Sequence, residues 1–148
     1  MNVEEIIRTD KKIPLNSRTI IHFLLVNNKI NEHISRILKP FDVSLQQFNV
    51  LRILRGRKGK PANLSTLNER MVTKMSNTTR LVDKLLSKGY VERRVCPSNR
   101  RKVEITITTQ GNNALKKMDV AMSGVEKEIL KNLSTDELEQ LNRLLHKF

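Results

Sequence analysis

Apolar residues recur at intervals of three and four along the first part of the chain, a spacing that predicts amphipathic helices. The longest such pattern covers residues 16–38 and predicts one helix that ends before Pro40. Its apolar face is wide near its start, where Ile20, Ile21 and Leu24 add to the stripe. A face of that width needs cover on more than one side, so we expect a partner subunit.

Three further helices are predicted from their start and stop signals. Ser44 and Gln47 form a capping-box pair that begins a second helix, and Asn63 is placed to cap a short third one. A fourth helix is predicted over residues 75–88, followed by Gly89 where a left-handed residue ends a helix. The third and fourth helices, with the tight turn between them, form a helix-turn-helix pair.

The period of the pattern then changes to the alternation of apolar and polar residues that predicts strands. The two strands cover residues 90–95 and 102–108, and the connection 96–101 contains turn-forming residues. This arrangement predicts a β-hairpin, and a fifth helix capped by Thr108 or Thr109 follows it.

A sixth helix begins at the capping box of Ser134 and Glu137. The complete order is three helices, a helix of recognition length, a hairpin and two more helices, which is the order of a winged helix-turn-helix. We therefore predict a mainly α fold with a two-stranded β wing and with dimerisation helices at the N- and C-terminal ends.

Positive charge is concentrated in one third of this chain of 148 residues. The formal net charge is +13, and residues 52–102 alone contain fifteen basic and three acidic residues. Charge concentrated in this way is typical of proteins that bind nucleic acids, although a solvated basic face without a partner gives the same count. The chain has no signal-peptide pattern and no apolar stretch long enough to cross a bilayer, so we expect a cytoplasmic protein without a membrane partner.

Polar side chains on the fourth helix and basic side chains of the hairpin are the predicted contacts to double-stranded DNA. Asn77 is suited to read adenine, Arg80 to contact guanine or phosphate, and Lys84 to contact phosphate. The candidate DNA-binding residues are Thr73, Lys74, Ser76, Asn77, Arg80, Lys84, Arg100 and Arg101. An ordinary amphipathic helix with a solvated outer face is the alternative for the helix alone.

Residues 64–111 resemble the MarR (multiple-antibiotic-resistance regulator) family of bacterial transcription regulators. The motifs that carry the resemblance are LNER at 67–70, TRLVDKL at 79–85, KGYVERR at 88–94, PSNRR at 97–101 and ITITTQG at 105–111. The resemblance implies a homodimer in which the terminal helices interlock and two winged domains grip a palindrome. It also implies that a wing arginine enters the minor groove.

The resemblance also suggests how the chain is divided. Residues 1–43 and 110–148 would form the helical dimerisation region, and residues 44–109 would form the DNA-binding domain. Two positions depart from the family pattern: Asn99 stands where Asp is usual, and Asn68 stands where Ala is usual. The first departure bears on the geometry of the wing, and the second requires a hydrogen-bond partner or an exit to solvent.

Residues suited to catalysis or metal binding are sparse. Three histidines and one cysteine lie far apart, and no glycine-rich phosphate loop or nucleophile motif is present. We therefore expect no enzymatic activity, no cofactor and no metal ion, and we interpret His22 and His33 as interface or surface residues. Cys96 at the end of a strand is either an inert thiol or a redox-sensitive one.

The function predicted from these features is a homodimeric repressor that binds a palindromic operator and responds to a small ligand. The alternatives are an architectural DNA-binding protein without an effector and a winged-helix module that binds protein. The sequence leaves the effector residues unknown. Basic residues near the expected junction of the dimer helices and the winged domain, namely Arg18, Arg52 and Arg55, suggest an anionic aromatic ligand. A junction that packs shut without a ligand is the alternative.

Overall fold

The computed structural model describes residues 1–73 and 77–148, with side chains described at all of these except Arg100 and Arg101. Its elements, in chain order, are α1 (Val3–Ile6), α2 (Leu15–Leu38), a 3-10 turn (Lys39–Phe41), α3 (Leu45–Gly56), α4 (Leu64–Arg70), α5 (Thr78–Ser87), β1 (Val91–Cys96), β2 (Asn99–Ile107), α6 (Thr109–Leu130) and α7 (Thr135–Leu145). The mainly α fold with a two-stranded antiparallel wing is therefore confirmed.

The helix starts follow the capping residues of the sequence. Ser44 accepts a hydrogen bond from the backbone N–H of Gln47, whose side chain in turn accepts one from the Ser44 N–H. Asn63, Thr108 and Ser134 cap α4, α6 and α7 through their side-chain oxygens. Each cap satisfies a backbone donor that the first turn leaves unpaired, which is why these starts are readable from the sequence.

The helix of recognition length begins later than its sequence pattern predicts. Asn77 has φ −130° and ψ 42°, a non-helical conformation, and α5 starts at Thr78. Asn77 therefore precedes the helix instead of lying in its first turn. The short helix α1 was missed by the hydrophobic pattern; Asn2 caps it, and Val3 anchors it because its side chain is fully buried.

The connection between the strands is shorter than predicted. Cys96 pairs with Asn99 across a turn made of Pro97 and Ser98, and the register shifts between Val95 and Cys96. The predicted connection 96–101 was therefore too long. The backbone of both Arg100 and Arg101 belongs to β2 instead, because this irregularity lets the pairing continue to a two-residue turn.

The core is centred on α3, which packs against α2, α4, α5, β2 and α6. The buried apolar residues around it come from α2 (Leu38), α3 (Phe48, Val50, Leu51, Leu54), α4 (Leu67), α5 (Val82, Leu85), the wing (Val91, Ile105) and α6 (Leu115, Met118, Met122). At the base of the wing, Ala62 bridges to Ile105 through two backbone hydrogen bonds of 2.9 and 2.8 Å. The wing is thus anchored on the same core that supports α5.

None of the described helices is long and apolar enough to cross a membrane.

Candidate nucleic-acid interface

The helix α5 has one buried face and one exposed face. Thr78, Val82 and Leu85 are buried against the core, whereas Arg80 and Lys84 are exposed. Arg80 and Lys84 are four residues apart, so they lie one turn from each other on the outer side. A helix that is packed on one face and polar on the other fulfils the geometric requirement for entering a major groove.

A shallow cleft of about 350 Å³ lies beside this exposed face. Asn77, Arg80 and Lys84 line one side of it, and Ser44 and Gln46 from the start of α3 line the other. The first turn of α3 contributes the positive end of its helix dipole to the same surface as the two cationic side chains. The cleft is therefore electrostatically suited to an anionic group such as a DNA phosphate.

The remaining predicted DNA contacts fall into two groups. Thr73 is exposed and lies before α5, not on the helix itself. Lys74 and Ser76 lie outside the described residues, as do the side chains of Arg100 and Arg101. Among the described residues, Arg80 and Lys84 lie on the exposed side of α5, and Asn77 lies just before its first turn.

An ion pair connects the wing to α5. Nη1 of Arg93 on β1 lies 3.5 Å from Oδ1 of Asp83 on α5. Farther out, Arg94 pairs with Glu92 on the same strand at 3.1 Å. Both pairs are largely exposed, so they orient the side chains more than they stabilise the fold.

The free thiol of Cys96 is half-buried, and its Sγ lies 3.2 Å from Oγ of Ser98.

The two departures from the family pattern are accommodated locally. Asn68 is half-buried within α4 and is not without an interaction partner. Asn99 is exposed and pairs with Cys96 as the first residue of β2. A hairpin therefore forms with Asn99 in place.

A cavity of about 250 Å³ lies where α2, α3 and α6 meet. We call it the junction cavity, and its lining includes Ile34, Phe48, Arg52, Met71, Met122 and Glu126. Arg52 also stacks over the ring of Phe48, with its Cζ 5.6 Å from the ring centroid. The cavity thus has mainly apolar walls with one basic and one acidic side chain.

Two of the three arginines expected at this junction are used elsewhere. Arg18 pairs with Glu4 of α1 at 2.9 Å and lowers the pKa of that carboxyl group by donating a hydrogen bond to it. Arg55 pairs with Asp119 and thereby joins α3 to α6. Glu4 and Asp119 are distant in sequence from the arginines they pair with, so a local pattern could not predict these contacts. Of the three arginines, Arg52 lines the junction cavity.

The two histidines of α2 make local contacts. Nε2 of His22 lies 3.3 Å from the carbonyl oxygen of Met1, and Nδ1 of His33 donates to the carbonyl oxygen of Lys29 at 2.8 Å. Within the described part of the chain, no group of three or more His, Cys, Asp or Glu residues is arranged to hold a metal ion.

Sequence reasoning missed two features of the interface. Ser44 was recognised as a helix cap but not as a neighbour of Arg80. The second feature is an ion pair between Lys88, at the end of α5, and Asp42, which precedes α3. The capping box signalled that a helix begins at Ser44, but only the packing of α3 against α5 shows what that helix end faces.

Comparisons with known proteins agree with this architecture. The model of the MarR family matches residues 43–103. The multiple antibiotic resistance protein MarR of Escherichia coli K12 is 31% identical over 130 residues, covering 86% of this chain and 87% of that protein. The transcriptional repressor IacR of Pseudomonas putida is 23% identical and covers 81% of this chain and 71% of that protein.

A solved structure extends the similarity to nearly the whole fold. It is that of a mutant of MarR from E. coli in complex with operator DNA, and it superposes with a TM-score of 0.76 at 30% identity, covering 99% of this chain and 98% of that one. The prediction of a DNA-binding transcription regulator is thereby confirmed at the level of the family. The chain belongs to the MarR family of transcriptional regulators.

Proposed function

We propose that this regulator is a homodimeric repressor whose two copies of α5 enter successive major grooves of a palindromic operator. The observation that carries the proposal is the exposed face of α5, where Arg80 and Lys84 share a cleft with Asn77 and the start of α3. A relative of the same fold that was solved in complex with operator DNA supports it. The repressor name of a relative favours repression over activation.

Each predicted contact has a role that follows from its chemistry. Arg80 makes a bidentate contact to a guanine, Asn77 reads adenine near the start of the helix, and Lys84 binds a phosphate. Thr73, Lys74 and Ser76 contact the DNA next to the start of α5. Arg100 and Arg101 of the wing enter the adjacent minor groove, where a narrow A·T-rich sequence attracts positive charge.

A second copy of the chain covers the apolar surface at its two ends. Ile20 and Leu24 on α2 are 54% and 59% exposed in the single chain, and Phe148 beyond α7 is 90% exposed. Phe23 joins the two regions because its ring packs edge-to-face on Phe148 with centroids 5.5 Å apart. The helix α7 has no buried residue at all, although its leucines form an apolar face. A contiguous apolar surface of this kind favours a two-fold dimer.

The division of labour follows from these two surfaces. Residues 1–43 and 110–148 form the dimerisation region, and residues 44–109 form the DNA-binding domain. The relatives are transcription regulators, so we assign the protein regulation without catalysis. Its binding partner is chromosomal DNA, so we assign the protein to the cytoplasm.

A small ligand in the junction cavity regulates the affinity for the operator. The cavity is large enough for a single-ring molecule, and Arg52 supplies a partner for a carboxylate. Because α2, α3 and α6 line it, an occupant changes the distance between the two copies of α5, which must match about 34 Å, one turn of DNA. An anionic aromatic compound is the first candidate, and Glu126 in the wall disfavours a dianion.

The DNA contacts are tested by selecting bound fragments from genomic DNA and then measuring affinities at a fixed salt concentration. We expect Arg80→Ala to cost about 1–3 kcal/mol on the selected operator and little on random DNA. Lys127→Ala, which also removes one exposed positive charge, is the control and should affect both DNAs equally. Equal losses on both DNAs for Arg80→Ala would show that Arg80 contacts only phosphate.

The regulatory part is tested by titrating the operator complex with salicylate-like compounds. We expect dissociation of the complex, with a weaker response in Arg52→Gln because the carboxylate loses its partner. If no compound of a broad metabolite panel changes the dissociation constant, the protein binds DNA without an effector and the architectural alternative is supported.

A further inference from the structure

The C-terminal end of α5 is a sharply defined turn. The N–H of Gly89 donates to the carbonyl oxygen of Leu86 at 2.9 Å, and the N–H of Tyr90 donates to that of Leu85 at 3.0 Å. Gly89 has φ +68°, the left-handed conformation that this type of helix end requires. The turn therefore gives the end of the recognition helix a fixed shape that neighbouring elements can hold.

The start of α6 holds this turn from one side. The hydroxyl group of Thr108 donates to the carbonyl oxygen of Gly89 at 2.6 Å, and the N–H of Thr108 donates to that of Tyr90 at 3.0 Å. The side chain of Gln110 donates to the carbonyl oxygen of Lys88 at 3.3 Å. These bonds connect the end of α5 to one of the two long helices of the dimerisation region.

The junction between α2 and α3 holds the same turn from another side. Nζ of Lys88 donates to Oδ2 of Asp42 at 2.6 Å; the Lys88 side chain is 23% exposed and the Asp42 side chain is 86% exposed. Asp42 is itself held in a left-handed conformation, φ 50° and ψ 46°, and its N–H donates to the carbonyl oxygen of Lys39. The hydrogen bond and the charge of Lys88 lower the pKa of the Asp42 carboxyl group, so it is ionised at neutral pH.

We propose that Asp42 is a positioning residue for operator binding, because its contact with Lys88 fixes the orientation of α5 relative to α2. This inference rests on the proposed function, in which α2 carries part of the surface for the second copy. The helix α2 and the 3-10 turn that follows it lead directly from that surface to Asp42. Through this connection, the spacing of the two recognition helices in the dimer depends on the ion pair.

The substitution Asp42→Asn separates this role from a direct contact of Lys88 with DNA. Asn also tolerates the left-handed conformation, so the backbone is preserved. If Asp42 merely withheld Lys88 from a phosphate, its loss would release Lys88 and strengthen DNA binding. The substitution also adds one positive charge to the protein, which again favours binding. Both of these effects would strengthen DNA binding, so weaker binding by Asp42→Asn can be explained by neither of them.

The experiment measures binding to the selected operator and to versions with one or two base pairs inserted between the half-sites. Asp42→Asn, Lys88→Met and the double variant are compared with Glu128→Gln, which breaks an exposed ion pair with Lys131 and changes the charge equally. We expect Asp42→Asn to weaken operator binding by up to about 5-fold per protomer, or about 25-fold per dimer. The preference of Asp42→Asn for the original half-site spacing should also decrease. The double variant should lose no more operator affinity than the more strongly affected single variant.

A second measurement does not need DNA. Spin labels at Thr79→Cys on α5 and Arg36→Cys on α2, in a Cys96→Ser background and diluted with unlabelled protein, report the orientation of α5 relative to α2 within one protomer. We expect Asp42→Asn to broaden the distance distribution and Glu128→Gln to leave it unchanged. Affinities, spacing preference and distances equal to those of the wild type would overturn the inference. Failure of the wild type to bind any selected DNA would instead overturn the proposed function, and the distances would still decide the role of Asp42.

Discussion

The close approach of α6 to the wing at Gly111 leads to a quantitative prediction for the substitution Gly111→Ala. A Cβ atom at this position would lie 2.1 Å from the carbonyl oxygen of Tyr90, whereas real Cβ contacts are essentially never shorter than 3.0 Å. The two backbones must therefore separate by about 0.9 Å. This movement stretches the 3.0 Å hydrogen bond between the N–H of Thr108 and the same oxygen atom.

The change in the free energy of unfolding caused by Gly111→Ala has three contributions. Overpacking costs about 1–3 kcal/mol, and a weakened hydrogen bond adds about 0.5–1.5 kcal/mol. The better helix propensity of Ala returns at most about 1 kcal/mol. We therefore expect Gly111→Ala to lower the free energy of unfolding by about 0.5–4.5 kcal/mol.

The same helix offers a matched control. A Cβ atom at Gly124 would meet nothing within 4 Å, so Gly124→Ala should stabilise the protein by about 0.5–1 kcal/mol. Both variants are unfolded in urea at one protomer concentration, because the stability of a dimer depends on concentration. If Gly111→Ala shifts the midpoint as little as Gly124→Ala, or in the same direction, the close contact between α6 and Tyr90 is not part of the fold.

Three further predictions concern the core and the C-terminal helix. Phe48→Ala removes a side chain that is 1% exposed, and it should lower the free energy of unfolding in urea by about 3–5 kcal/mol. A chain that ends at Asn132 lacks α7 and should become monomeric with a lower operator affinity; a dimer in light scattering would contradict this. The backbone N–H and the hydroxyl group of Ser134 lower the pKa of Glu137 by hydrogen bonding, so this carboxylate stabilises α7 at neutral pH. This stabilisation should be lost as the pH falls below the unfolded-state pKa of about 4.3 and then through the lower pKa of the folded state. Helicity measured by circular dichroism should therefore depend less on pH in the acid range in Glu137→Gln than in the wild type.

Local interactions determined what the sequence predicted correctly. A cap joins residues three positions apart, so the starts of α3, α4 and α7 followed from Ser44, Asn63 and Ser134. For α6 the sequence left Thr108 and Thr109 open, and the cap is Thr108. The left-handed Gly89 was predicted for the same reason, since the hydrogen bonds of this helix end span only four and six residues. The alternation of apolar residues and the motifs of the family were enough to identify the wing and the winged helix-turn-helix.

Only the tertiary structure decided which of these elements meet. Asp42 and Lys88 are 46 residues apart, and Arg55 and Asp119 are 64 apart, so neither pair leaves a local pattern in the sequence. The second pair removed Arg55 from the junction cavity, where charge alone had suggested it. In the same way, helical periodicity did not contain the non-helical backbone conformation of Asn77. Contacts of this kind depend on the packing of α3 at the centre of the core, which brings distant segments together by burying their apolar faces.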